Sequence, residues 1–321
     1  MIETRHLYYF LAVAREQNIT RAADTLHITQ PTLSKQLMDL EHQLGKQLFI
    51  RGKRTVTLTE EGTYLRSKAQ EMIDLMEKTE AAFHEDNKTV SGDIHLGCGE
   101  TRVMEYITDV FKQIHLEYPK IHFHIYSADA DNVLEKLDKG LLDIGLLLGP
   151  LRREKYDYID IHQKDTYGLL MPKNCTLASQ SAITVEQMKD LPLIFSQQAF
   201  LGHQELEWFG VDYSALNVVA TYNLIFNATF MVEKGIGYAL CLDNLVNIEG
   251  NKKLTFRPIT PELSIKSYIV MKKYQAFSPA VKIFMNKIKI FCKTYGLLTQ
   301  QKDVKHSLFC GFYNDLSPPC I

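Results

Sequence analysis

No run of apolar residues in this chain is long enough to span a bilayer, and nothing near its start has the charged, apolar and small-residue segments of a secretory leader. The first residues, Met-Ile-Glu-Thr-Arg-His, lead directly into an amphipathic helical pattern of Leu7, Phe10, Leu11 and Ala14, so a cytoplasmic protein with no membrane partner is expected. Gly-x-Ser-x-Gly, Gly-x-x-x-x-Gly-Lys-Ser/Thr and His-Glu-x-x-His are all absent. This removes the commonest signatures of ester, nucleotide and metallopeptidase chemistry, and no enzyme is expected. The six cysteines (Cys98, Cys175, Cys241, Cys292, Cys310 and Cys320) include no Cys-x-x-Cys pair, which argues against both a zinc site and a disulfide framework. His122 and His124 alternate along one strand and could share a face as metal ligands, but no third ligand lies near them in sequence. An exposed strand face is the expectation, with no metal and no cofactor.

Strong charge of one sign is also missing. The 321 residues carry a net charge of -2, with 45% hydrophobic and 23% charged side chains, an ordinary globular composition long enough for two or three domains. The sum hides an asymmetry. Residues 1–58 hold eight basic and five acidic side chains, whereas residues 59–88 hold four basic and eight acidic ones, so positive potential is confined to the amino-terminal end.

The most informative stretch runs from Thr20 to Leu58. Ala22, Ala23 and Leu26 make one short apolar face, and Leu33, Leu37, Leu40 and Leu44 continue another at helical period, so two helices are predicted. His27, Ile28, Thr29, Gln30 and Pro31 leave room only for a tight turn between them. Thr29 suits the N-cap, and Pro31 falls in the first turn, where its missing N–H costs nothing. Opposite the leucines the second helix carries Gln30, Thr32, Ser34, Lys35 and Gln36, hydrogen-bonding groups of the kind that read base edges in a major groove. Gly45 ends that helix. Leu48, Phe49 and Ile50 then suit a strand, Arg51, Gly52, Lys53 and Arg54 a basic turn aimed at phosphates, and Val56 and Leu58 a returning strand.

Taken in order, Ala-Ala, Leu, Thr-Gln-Pro-Thr-Leu-Ser, Leu-Glu, Leu-Gly, Leu-Phe-x-Arg and Leu-Thr-x-x-Gly resemble the amino-terminal signature of LysR-type transcriptional regulators. The resemblance implies a winged helix-turn-helix over residues 1–58. Thr29, Gln30, Pro31, Thr32, Ser34 and Lys35 would face double-stranded DNA, and Arg51, Lys53 and Arg54 would sit at wing positions near its backbone. Relatives often carry Arg where this chain has Lys35. Lysine is a point charge without a planar fork, so phosphate contact is the role expected of it.

From Thr59 to about Asp86 there is no proline, and Leu65, Ala69, Met72, Met76, Thr79 and Phe83 recur at alternating spacings of four and three, a heptad seam. A linker helix over residues 59–88, pairing into a homodimer through Leu65, Ala69, Met72, Met76 and Phe83, is expected, with packing against the chain's own core as the alternative. Two recognition helices related by a two-fold axis would read an inverted repeat. A dimer of dimers is implied by the family resemblance alone.

Beyond the polar stretch Asp86-Asn-Lys-Thr-Val-Ser-Gly92, strand and helix patterns alternate, which predicts an α/β half. Asp143-Ile-Gly-Leu-Leu-Leu, Tyr167 to Met171 and Leu193 to Phe195 read as buried parallel strands. This half, with Gly140-x-x-Asp143 and Gly235-Ile-Gly237 as local marks, resembles the two-lobed, periplasmic-binding-protein-like (type 2) effector domain of the same family. It would cover residues 89–295, with lobe I about 92–165 and 266–295, lobe II about 166–265, and residues 296–321 as a flexible tail.

Ligands in such a fold lie between the lobes, against loops after strand ends and against helix N-termini. That places Gly99, Glu100, Thr101, Ser127, Asp129, Ser196, Gln197, Thr221 and Asn223 as candidate contacts for a small-molecule effector, with helix capping as the alternative role of each Ser, Thr and Asn. Glu100, Asp129 and Asp131 add negative charge there, so carboxylate, amine-bearing and neutral effectors all stay open. The expected function is effector-modulated transcription regulation. Its alternatives are a ligand-binding module with a vestigial DNA domain, and a redox sensor in which Cys98, beside a helix N-terminus, has a lowered pKa.

Overall fold

The computed structural model describes residues 2–52, 55–83, 90–149, 155–197, 216–248 and 253–297, with backbone only for 81–83. Lys53, Arg54, the side chain of Phe83 and the tail beyond residue 297 lie outside the described residues.

Three helices come first: α1 (Thr4–Glu16), α2 (Ile19–Thr25) and α3 (Gln30–Leu44). Leu7, Phe10 and Val13 of α1, Ala22 and Ala23 of α2, and Leu33, Leu37 and Leu40 of α3 share one core, because apolar residues at three-to-four spacing give each helix a single buried stripe. The α2–α3 turn is tight. His27 takes the left-handed conformation at φ 54°, and the Ile28 N–H donates to the Ala23 carbonyl at 3.0 Å. At the other end of α3, Gly45 closes the helix at φ 65°, a conformation that strains residues with a Cβ. A hairpin of β1 (Phe49–Arg51) and β2 (Val56–Leu58) follows, with Phe49 opposite Leu58 and its ring 5.2 Å from that of Phe10.

Helix α4 (Glu60–Phe83) spans 24 residues, about 36 Å at 1.5 Å per residue. Its first turn lies directly on the hairpin's backbone. A Cβ added at Gly62 would stand 2.1 Å from the Leu48 carbonyl oxygen, so only glycine permits this approach. That contact fixes the rotation of α4 and corrects the expected seam. Leu65 and Ala69 are 8% and 0% exposed and, with Ile73, face the chain's own three-helix core at i, i+4, i+8 spacing. Met72 is 50% exposed, and Tyr64 and Leu75 are also exposed, so the outward apolar stripe is a different one.

Beyond α4 the described residues include one ten-stranded sheet divided into two lobes. The first lobe contains β3 (Gly92–Cys98), α5 (Val103–Glu117), β4 (Ile121–Ser127), α6 (Ala130–Asp138) and β5 (Ile144–Leu148). Strand β3 pairs in parallel with both β4 and β5. Strand β6 (Tyr156–Pro172) then runs through both lobes. Its first part pairs antiparallel with β12 (Ser264–Lys272), its second with β10 (Tyr238–Leu242) and β11 (Leu254–Thr260). The expected parallel strand at Tyr167 to Met171 is therefore antiparallel: a short apolar run gives burial but not direction.

The second lobe adds β7 (Ile183–Thr184), α7 (Val185–Lys189), β8 (Leu193–Ser196), β9 (Val218–Tyr222) and α8 (Ile225–Glu233), with β8 parallel to both β9 and β10. Helix α9 (Pro279–Thr294) returns to the first lobe, where Val281, Phe284 and Ile288 pack with Ile107, Val110 and Ile114 of α5. Among the described residues the chain passes between lobes near Asp165 in β6 and near Ser264 in β12, and these two crossings are adjacent antiparallel strands.

Candidate nucleic-acid interface and interlobe cleft

With Leu33, Leu37 and Leu40 buried, α3 turns Gln30, Pro31, Thr32 and Lys35 to the surface and leaves Ser34 half-buried. The first turn is held by local bonds. Thr29 Oγ1 accepts the Thr32 N–H at 3.4 Å and lies 2.8 Å from Thr32 Oγ1, while Gln30 Nε2 donates to Ser34 Oγ at 2.8 Å. Gln36 instead reaches back to His6 Nε2 at 3.0 Å, so it ties α3 to α1. At the hairpin, the Gly52 N–H donates to the Thr55 carbonyl at 2.9 Å. Arg51 stands 3.5 Å from Glu41 of α3, whose other oxygen accepts the Leu48 and Phe49 N–H groups at 2.8 and 3.1 Å. The wing is thereby clamped to the recognition helix. Arg51 remains 40% exposed on its side chain, and so loose a surface pair gives up little when a phosphate replaces the carboxylate. This surface offers amide and hydroxyl groups for base edges, flanked by cations for a backbone.

Between the lobes is an open cleft of about 550 Å3, mouth included. Gly99, Glu100, Asp129, Ser196 and Asn223 line it, as do Tyr167, Tyr222, Cys241 and Ile265, which sequence reasoning missed. Thr101, Ser127, Gln197 and Thr221 are not among its lining residues. Thr101 is buried: its hydroxyl donates to Asp165 at 2.5 Å, accepts the Val103 N–H at 3.1 Å and lies 3.2 Å from Ser267, so it caps α5 and fixes the strand crossings. Ser127, Gln197 and Thr221 are exposed outside the cleft. Thr221 precedes Tyr222 by one strand position, and successive strand residues face opposite sides.

Two of the lining groups are also bonded locally: Asp129 caps α6 by accepting the Asn132 N–H at 2.9 Å, and Asn223 accepts the N–H of the next residue, Leu224, at 2.9 Å. Glu100 does something the sequence did not suggest. Its carboxylate, carried by the first lobe, accepts the Ile225 N–H of α8 in the second lobe at 2.6 Å. Burial raises the Glu100 carboxyl above its ordinary range, and the Ile225 amide opposes that rise. Burial likewise pushes the Cys98 thiol up, and the Cys241 thiol up to about 12, so the lowered Cys98 pKa expected of a redox sensor is not found.

Asp143 explains the Gly140-x-x-Asp143 mark. One oxygen of its buried carboxylate accepts the His95 N–H at 2.8 Å, and the other pairs with Lys78 Nζ of α4 at 2.8 Å. Lys78 also donates to the Gly140 carbonyl at 3.1 Å, and Lys139 pairs with Glu71 of α4 at 2.7 Å. On the neighbouring edge, Asp93 lies 3.0 Å from His124 Nε2 and 3.6 Å from His122 Nδ1. Among the described residues no group of three or more His, Cys, Asp or Glu is placed to hold a metal ion, and no helix is long and apolar enough to cross a membrane.

Comparison with known proteins gives a consistent result. Residues 4–63 match the bacterial regulatory helix-turn-helix protein, lysR family, and residues 87–291 match the LysR substrate binding domain. The Hca operon transcriptional activator HcaR of Escherichia coli (strain K12) is 28% identical over 289 residues, covering 88% of this chain and 96% of that protein. The HTH-type transcriptional regulator AlsR of Bacillus subtilis (strain 168) is 31% identical over 197 residues, 60% of this chain and 64% of that protein. The crystal structure of full-length CbnR complexed with its target DNA shares the fold at a TM-score of 0.71 and 16% identity, covering 90% of this chain and 100% of that one. The chain belongs to the LysR family of DNA-binding transcriptional regulators, with a helix-turn-helix domain followed by an effector-binding domain.

Proposed function

We propose that this regulator works as a homodimer in which each α3 reads half of an inverted repeat and a small molecule in the interlobe cleft changes the spacing of the two readers through α4. One observation carries the proposal: α4 belongs to both bodies. Leu65, Ala69 and Ile73 on one face of it are buried in the helix-turn-helix core, while Glu71 and Lys78 on the same helix are ion-paired to Lys139 and Asp143 of lobe I. A ligand that favours one arrangement of the lobes therefore biases α4 and the attached readers, and it does so only by the difference in its affinity for the two arrangements. Gln30, Thr32 and Ser34 take base edges in this proposal, with Thr29 and Pro31 setting the first turn, while Lys35, Arg51, Lys53 and Arg54 take phosphates.

Pairing uses the outward stripe of Tyr64, Met72 and Leu75, with Met76 half-buried beside it. The exposed pair Phe226 and Phe230 of lobe II, with rings 5.5 Å apart, supplies a second apolar patch for assembling two dimers. Met72→Glu tests the pairing, because that side chain is outside the chain's own core. Sedimentation is expected to show a smaller assembly, with an unchanged circular dichroism spectrum and at least tenfold weaker binding to a two-half-site duplex. Unaltered mass and DNA affinity would count against pairing through α4.

A further inference from the structure

This inference rests on the assignment of the interlobe cleft to an effector and concerns the charge of that effector. Free N–H groups at the start of α8 would be a natural seat for a ligand carboxylate. Part of that seat is taken by the protein itself. Glu100 reaches from the end of β3 to accept the Ile225 N–H at 2.6 Å, and Asn223 accepts the Leu224 N–H at 2.9 Å. The N-cap residue of α8, Leu224, has no side-chain acceptor to offer, so the cap comes from the opposite lobe. Asp129, at the start of α6, lines the same cleft as a second carboxylate. Among the described residues no Lys, Arg or His lines it, while Tyr167 and Tyr222 do, and aromatic rings attract cations. A carboxylate entering this space would meet two like charges and an α8 amide already bonded. An ammonium group would meet two acceptors whose charge it compensates.

We infer that the effector is a small amine, cationic at neutral pH, held against Glu100 and Asp129, and that Glu100 selects it by occupying the place of a ligand carboxylate at the start of α8. Glu100 thereby also links the lobes, so an amine bound beside it strengthens the arrangement in which the cleft is closed across that contact. Burial raises the Glu100 carboxyl, and a bound cation would restore its full charge.

Two substitutions separate charge from structure. Glu100→Gln keeps an oxygen that can accept the Ile225 N–H but removes the charge, whereas Glu100→Ala vacates the amide. Calorimetric titration and thermal shift on the full chain would use skeleton-matched probes: benzylamine against benzoate and butylamine against butyrate. The expected result is that the wild type binds an amine of these pairs and neither carboxylate. Glu100→Gln should then lose about tenfold or more in amine affinity without a lower melting temperature, in line with a hydrogen bond to a charged group. Glu100→Ala should take up the carboxylate partner of that amine.

Carboxylate preference in the wild type, equal amine affinity in Glu100→Gln, or binding of no probe by any of the three proteins would overturn the inference. The effector-responsive reading fails separately: it fails if a bound amine leaves the DNA footprint unchanged.

Discussion

Replacing Lys78 with Met is expected to be the most damaging single change away from the core, and it should weaken the tie between the effector half and α4, leaving Glu71–Lys139 as the remaining ion pair. The side chain of Asp143 is 9% exposed and that of Lys78 20%, so the pair is largely withdrawn from water. Removing the cation leaves a buried carboxylate that only the His95 contacts compensate. Breaking one side of a buried pair costs about 3–5 kcal/mol, and the residual exposure of Lys78 places this case at the lower end. Adding Asp143→Asn should recover most of the loss, because the amide oxygen still accepts the His95 N–H while no charge is left unpaired. The double-mutant cycle therefore reports the coupling directly.

Acid provides a second check on the same pair. Burial alone would raise the Asp143 carboxyl, but the hydrogen bond with His95 and the charge of Lys78 hold it below its ordinary value. A carboxyl lowered by folding contributes stability in full above its unfolded pKa of about 3.9 and loses it as pH falls through the lower folded value. The stability gap between wild type and Lys78→Met should accordingly be widest near neutral pH and close below about pH 4. Denaturant melts at several pH values measure this, and superimposable melts for the two proteins at pH 7 would refute the role given to Lys78.

Gln30→Ala and Lys35→Ala should both weaken DNA binding, but in different ways. Gln30 lies exposed in the first turn of α3, where its amide can meet a base edge, and a good bidentate pair of this kind is worth about 1–3 kcal/mol of discrimination. Its loss should weaken binding to the preferred duplex by roughly five- to 150-fold while binding to unrelated DNA stays unchanged. Lys35 should contribute through a phosphate instead. Lys35→Ala should weaken binding to every sequence alike and flatten the slope of log affinity against log salt by about 0.9 for each phosphate no longer neutralised. Competition binding at three or more salt concentrations separates the two outcomes. Equal effects of Gln30→Ala on specific and unrelated DNA would remove it from base reading.

The helix-turn-helix was legible because its determinants are local. The cap at Thr29, the leucines of α3 and the left-handed Gly45 all act within a few residues of one another. Helix α4 was half legible. Spacing showed that an apolar stripe exists, but the face that turns inward is chosen by the approach of Gly62 to the hairpin backbone, which no periodicity records. In the cleft, Gly99, Glu100, Asp129, Ser196 and Asn223 could be named because they follow strand ends. Thr101 could not be placed, since its partners Asp165 and Ser267 are 64 and 166 residues away in sequence. Tyr222 was passed over for its neighbour Thr221, an error of one strand position that exchanges the two faces. Strand β6 mixes Asp157, Asp160 and His162 with apolar residues along its lobe I half, so neither alternation nor an apolar run announced it.

Selection of binding sites from a randomised duplex pool by the full chain tests most directly whether two α3 helices act as a two-fold pair. The predicted result is enrichment of two half-sites in inverted orientation, their centres about 34–36 Å apart or a multiple of that, with the second half-site lost in Met72→Glu. Enrichment of one unrepeated site, or none above the starting pool at any salt concentration, would contradict it.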